Sequence, residues 1–222
     1  MLLAEDLLLL LTDDRTGGLL VTAGEVDAAL AGALLMDLAL PGRVDVDERK
    51  RLVVRDGSPT GDELLDRALG AVSQKQGKKP SAVLGPLGKN LRERLYARLT
   101  GCGILRAQHD KVLGIFPRHR WPTASADHES AVRRALTAAL VTGTTPDPRD
   151  AALVALLHAL RATDKVVDPK EHGLRRRDLD RRAKQVAEGS WASEAVRQAV
   201  DEMAAAVMVA VSAATVATTA SG

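Results

Sequence analysis

Lys89, Arg92 and Tyr96 are the residues whose types and spacing come nearest to a chemistry. At about 100° per residue, a helix from Ser81 to Leu99 brings them within an arc of about 60°, beside the stripe formed by Leu84, Leu87, Leu91, Leu95 and Leu99. A guanidinium presents planar, paired donors to phosphate oxygens, a lysine adds a compact charge, and a phenol adds one more hydrogen bond. That chemistry is recognition of an anionic phosphate group rather than a reaction. The competing interpretation is a solvated helix flank. Arg43, which follows Pro41 and Gly42, either joins such a site or lies on a hairpin surface.

A second candidate surface lies further along. Val112, Leu113, Ile115 and Phe116 precede Arg118, His119, Arg120 and Trp121, so an apolar edge adjoins a basic, aromatic one. Arginine and tryptophan settle at headgroup depth, which suits contact with an anionic membrane. The apolar runs flanking Gln108, His109 and Asp110 predict a hairpin with a polar tip. Its alternative role is to pack on its own domain. A third cluster, Arg175, Arg176, Arg177, Arg181, Arg182 and Lys184, is interrupted by Asp178 and Asp180. The spacing of Asp178 and Arg182 predicts an ion pair on a solvated helix face.

Catalysis, metals and cofactors are not expected. The histidines at 109, 119, 128, 158 and 172 lack metal-ligand spacing, and no glycine-rich phosphate loop precedes a helix. His158, in an apolar helix, reads as a satisfied core histidine. The single cysteine, Cys102, has no disulfide partner and is consistent with a reducing cytoplasm. The formal charge of +2 implies no polyanionic partner by itself.

The elements that must position these residues are mostly helices. Aromatic content is 2%, so Ala, Leu and Val fill the core, which favours closely packed helices over a sheet sandwich. Helices are predicted over Leu2 to Leu11, Ala23 to Leu40, the segment capped by Thr60 and Glu63, Ser81 to Leu99, Asp127 to Val141, Pro148 to Thr163 and Leu174 to Glu188. A long helix from Ser190 onward is expected to be buried. Hairpins are predicted at Arg43 to Arg55, with a solvated tip, and near 103–117. The last twenty residues after Glu202 are uncharged, but their alanine, threonine and serine content argues for a core helix over a membrane anchor. The fold expected is a mainly α, single helical domain spanning 1–222 around a buried C-terminal helix, with two short β-hairpins.

Three motifs in order, MDLALPGRV at 36–44, SPTGDELLDRAL at 58–69 and KNLRERL at 89–95, resemble the Golgi phosphoprotein 3 family. KNLRERL is similar to the family's RNVRERL, whose two arginines line a phosphatidylinositol 4-phosphate pocket; those positions fall on Lys89 and Arg92. The tryptophan and arginine that complete the family pocket fall on Thr22 and Ala31, so half of it is present in kind. The resemblance implies a non-catalytic, cytoplasmic, peripheral membrane protein that binds an acidic lipid headgroup or phosphate. It also implies membrane contact and possible homo-oligomer formation through the 103–117 hairpin. The chain starts directly at the domain, so the coat bridging of eukaryotic members through a basic tail is not expected. The Ala, Arg and Asp bias suggests a bacterial, actinobacterial-like homologue. Two other classes stay open: a winged-helix-like DNA reader with its wing at 103–120, although a nucleic-acid partner is not expected, and a scaffold that binds only protein.

Overall fold

The computed structural model describes residues 1–13, 16–106, 108–112, 116–120, 127–189 and 192–219. The leucine run forms α1 (Leu3–Leu10), buried at every position, Glu5 and Asp6 included. A helix this short has little stability of its own. Burial of its leucines, worth about 1.5–3 kcal/mol each, keeps it in place. Its cap comes from another helix: the Leu3 N–H donates to both carboxylate oxygens of Asp37, at 3.0 and 2.9 Å.

Asp37 belongs to α2 (Ala23–Ala39), which opens with a capping box between Thr22 and Glu25. Apart from Asp37, its second half is apolar all round, because it is covered from several sides. Gly42, at φ +76°, then turns the chain into β1 (Val44–Val46), which pairs antiparallel with β2 (Leu52–Val54). The charged tip at 47–50 matches the predicted hairpin.

The next helix, α3 (Glu63–Gln74), departs from the predicted cap. Asp62, not Thr60, accepts the free N–H groups of Leu64 and Leu65. Thr60 instead donates its N–H and hydroxyl to Asp66. The predicted helix over 81–99 is two helices, α4 (Ser81–Gly88) and α5 (Leu91–Gly101). Gly85, Pro86 and Gly88 weaken the first, and Asn90, at φ +56°, makes the left-handed step that asparagine tolerates. A Cβ at Gly88 would stand 3.1 Å from the Asp27 carbonyl oxygen, so a glycine lets α4 end against α2.

Strands β3 (Gln108–Val112) and β4 (Phe116–Arg120) form the second hairpin, with Val112 opposite Phe116 and Gln108 opposite Arg120. This corrects the expected polar tip. Gln108, His109 and Asp110 are strand residues, and the link between the strands is the apolar Leu113, Gly114 and Ile115, which lie outside the described residues.

The remaining elements are α6 (Asp127–Thr137), widening into a π turn over Ala138–Thr142, then α7 (Pro148–Ala159), α8 (Thr163–Val166), α9 (Arg176–Ala187) and α10 (Glu194–Thr219). α10 lies along α2 and buries Ala199, Val200, Met203, Val207 and Val211, as expected of a core helix. Met208 and Val209 on its other side are exposed. Trp191, a further expected core residue, is outside the described residues. Among those described, no helix is long and apolar enough to cross a membrane.

Candidate functional site

The break between α4 and α5 rearranges the predicted phosphate site. Lys89 is not on the helix with Arg92; it sits in the connecting turn, exposed, with no hydrogen bond or ion pair among the described residues. Arg92 opens α5 with its side chain 19% exposed, between the first turn of α2 and its own neighbour. Its guanidinium lies 3.5 Å from the Ala23 carbonyl oxygen, 3.6 Å from Asp27 Oδ1 and 3.5 Å from Glu93 Oε1.

These are loose contacts. Asp27 Oδ1 is buried with no hydrogen bond among the described residues, and burial raises the carboxyl pKa, opposed by the nearby Arg92 charge. The turn therefore carries one free cation and one half-engaged cation, next to a carboxylate that is poorly satisfied.

Tyr96 is placed differently. It is 4% exposed, with its hydroxyl 3.2 Å from Thr12 Oγ1, and burial raises its pKa. It therefore fixes α5 to the end of α1 and does not present a phenol beside Lys89. Arg43 is likewise committed, donating to the Ser58 carbonyl at 2.6 Å and pairing with Asp56 at 3.4 Å, so it pins the first hairpin to the loop before α3. Thr22 is exposed and tied into the α2 capping box, while Ala31 is fully buried in the core. Neither supplies charge or an aromatic platform.

The other arginines of α5 serve the fold. Arg94 lies 3.7 Å from Glu63, and Arg98 bridges Glu5 at 2.9 Å and the Asp62 cap at 2.5 Å. Arg98 thus partners the buried Glu5, and the adjacent buried Asp6 sits in an ionic knot that the motifs do not reveal. Arg149 reaches Asp6 at 2.7 Å, Asp37 at 3.4 Å and the Met1 carbonyl, and His128 lies 2.7 Å from Asp6. Its signal was Glu5 and Asp6 inside a leucine run, where buried charge must find partners.

The second hairpin contributes backbone only: Val112, Phe116 and Arg118 lie in its strands, whereas Leu113, Ile115 and Trp121 fall outside the described residues. On α9, Asp178 pairs with Arg175 at 2.7 Å and Arg181 at 3.0 Å, not with Arg182. Arg182 turns inward to donate to the carbonyls of Leu140 and Val141, which the π turn leaves open. His158 is not a satisfied core histidine. Its Nδ1 is 3.1 Å from Asp180 Oδ1, yet out of line for a hydrogen bond.

Fold and turn together define a mainly helical protein with a small cationic corner where the α4–α5 link meets α2. The model of the Golgi phosphoprotein 3 (GPP34) family matches residues 3–203, and the chain belongs to that family. It is 27% identical over 219 residues to vacuolar protein sorting-associated protein 74 of Eremothecium gossypii, a match covering 81% of this chain. It spans 65% of the length of that relative.

Proposed function

We propose that this protein is a peripheral membrane protein that binds acidic phospholipid headgroups, of the phosphatidylinositol 4-phosphate type, through Lys89 and Arg92. The observation that carries this reading is the exposed Lys89, without a partner among the described residues, beside a loosely held Arg92, at the two positions where KNLRERL resembles the family's pocket. A phosphate entering the turn would gain charge-assisted donors from both at small cost, because Arg92 makes no strong contact that must be broken. The apolar link of the second hairpin supplies membrane contact or joins two copies of the chain. In this reading the protein works at the cytoplasmic side of a membrane, carries out no reaction and comes from a bacterium. The relative's name, which ties it to vacuolar protein sorting, is in keeping with a role at membranes.

The test is co-sedimentation with neutral vesicles alone and with added phosphatidylinositol 4-phosphate, phosphatidylinositol or cardiolipin, comparing wild type with Lys89→Ala plus Arg92→Ala. Selective pelleting that disappears in the double variant supports the headgroup site. Absence of pelleting with every acidic lipid would refute it in favour of a protein scaffold, and salt-sensitive binding to duplex DNA would favour a nucleic-acid reader.

A further inference from the structure

A cleft of about 620 Å³ opens between the C-terminal end of α7, α8, the first turn of α9 and Met208 of α10. Its walls carry Arg161, Arg176 and Arg177. Arg176 is shared with Asp164 at 2.9 Å, and Asp180 faces His158. The side chains of Arg161 and Arg177 make no hydrogen bond or ion pair among the described residues, so two guanidinium groups are unused. By contrast, another cleft of about 540 Å³ contains Arg182, which is already committed to the carbonyls of Leu140 and Val141.

The position of Arg161 is informative. α7 ends in a Schellman motif: the Arg161 N–H donates to the His158 carbonyl and the Ala162 N–H to the Leu157 carbonyl, each at 2.9 Å. Arg161 holds the left-handed position of that motif, at φ +52°, where glycine is the unstrained choice. Strain in a non-glycine residue persists where the surrounding structure enforces it, and here it places a cation on the cleft wall.

The second, independent feature is Thr163, also on the wall. It is 4% exposed, and its hydroxyl has no hydrogen-bond partner among the described residues. A buried donor without a partner is uncommon in folded proteins. The first turn of α9 adds its own partial positive charge, and its N-cap residue Arg175 supplies no side-chain acceptor.

We propose that this cleft is a second anion site, separate from the Lys89–Arg92 turn, and that it takes a phosphomonoester. Two unpaired forks match the several oxygens and double charge of a monoester, and the Thr163 hydroxyl supplies a further hydrogen bond. The half-exposed Met208 gives the rim an apolar side. A lipid bearing a terminal phosphate and a soluble phosphate ester share this chemistry.

The experiment is titration calorimetry of the full chain with inorganic phosphate, together with flotation on phosphatidylcholine vesicles with and without phosphatidic acid. Arg161→Gly plus Arg177→Gln should weaken phosphate binding at least about ten-fold, whereas Lys89→Ala plus Arg92→Ala should leave it unchanged. Arg161→Gly relieves the left-handed strain, so the melting temperature should not fall and lost binding cannot be ascribed to misfolding. Thr163→Val should raise the melting temperature by about 2–4 °C and still weaken phosphate about three-fold. Phosphate binding with loss of vesicle flotation in the cleft variant points to a lipid. Phosphate binding without flotation by the wild type points to a soluble ester. Undiminished phosphate binding by the cleft variant, or no binding of either probe by the wild type, overturns the proposal.

Discussion

Arg92 Nη1 stands 3.6 Å from Asp27 Oδ1, close enough to feel its charge and too far to donate a hydrogen bond to it. The carboxylate therefore competes for the same cation that an incoming headgroup would use. Asp27→Asn should tighten binding to phosphatidylinositol vesicles about five-fold, the effect of about 1 kcal/mol of relieved repulsion near a surface. Burial raises the pKa of this carboxyl, so the proton that neutralises it arrives at a higher pH than for an exposed aspartate. Wild-type binding to this phosphodiester lipid, whose own charge is constant over the range, should strengthen as pH falls, and the asparagine variant should lose most of that dependence. Equal affinity of the two proteins across pH would remove Asp27 from the site.

Gly32 of α2 lies against Val207 of α10, and a Cβ there would stand 2.3 Å from Val207 Cγ2. α2 packs along α10 here and the β-branched Val207 is stiff at χ1, so neither side can yield without disturbing the core. Gly32→Ala should destabilise the protein by about 1–3 kcal/mol despite the better helix propensity of alanine. Val207→Ala should rescue part of that loss, and denaturant unfolding of the four proteins in the cycle measures it. Additive single effects would mean that the helices separate rather than clash.

How far this arrangement was legible in the residues follows from where each constraint originates. The leucine run of α1, the Pro41 and Gly42 stop, and the first hairpin are local signals, and they hold. The stripe Leu84, Leu87, Leu91, Leu95 and Leu99 is buried throughout, yet it spans two helices. Periodicity reports burial and passes over a left-handed step at Asn90, so Lys89 and Arg92 were placed on one face when a turn separates them. Thr60 with Glu63 matches a capping pattern, but Asp62, one position before the helix, makes the bonds. Arg182 had a plausible partner four residues away in Asp178, and the open carbonyls of Leu140 and Val141 won it. The knot at Asp6 and the cleft at Arg161 join residues brought together only by packing, which no local pattern encodes.

Asp37 carries the clearest pH signature. Burial pushes its carboxyl up to about 6 from the ordinary 3.8, against the pull of the Leu3 N–H and Arg149. Between those values the folded protein keeps a proton that the unfolded chain has released. Stability from this group therefore falls as pH rises from about 4 to about 6 and is constant above. Asp37→Asn keeps an acceptor for the α1 cap and cannot titrate. The stability of wild type relative to this variant should drop by about 2 kcal/mol between pH 4 and pH 7, read by denaturant unfolding. A difference that does not change with pH would show that Arg149 compensates the charge fully.

The second hairpin offers a direct choice between its two roles. The register pairs Val112 with Phe116, so the strands are joined by Leu113, Gly114 and Ile115, while the polar Gln108 and His109 lie toward the other end, opposite Arg120 and His119. An apolar link flanked by a valine and a phenylalanine, with basic residues further along, has the order of a segment that meets lipid acyl chains first and headgroups second. Leu113→Asp with Ile115→Asp should reduce binding to acidic vesicles at least about ten-fold, since each change replaces favourable apolar burial with a charge. The same variant should unfold at the wild-type temperature. If instead the melting temperature falls while vesicle binding persists, those residues pack on their own domain, and the turn at Lys89 and Arg92 must hold the membrane without them.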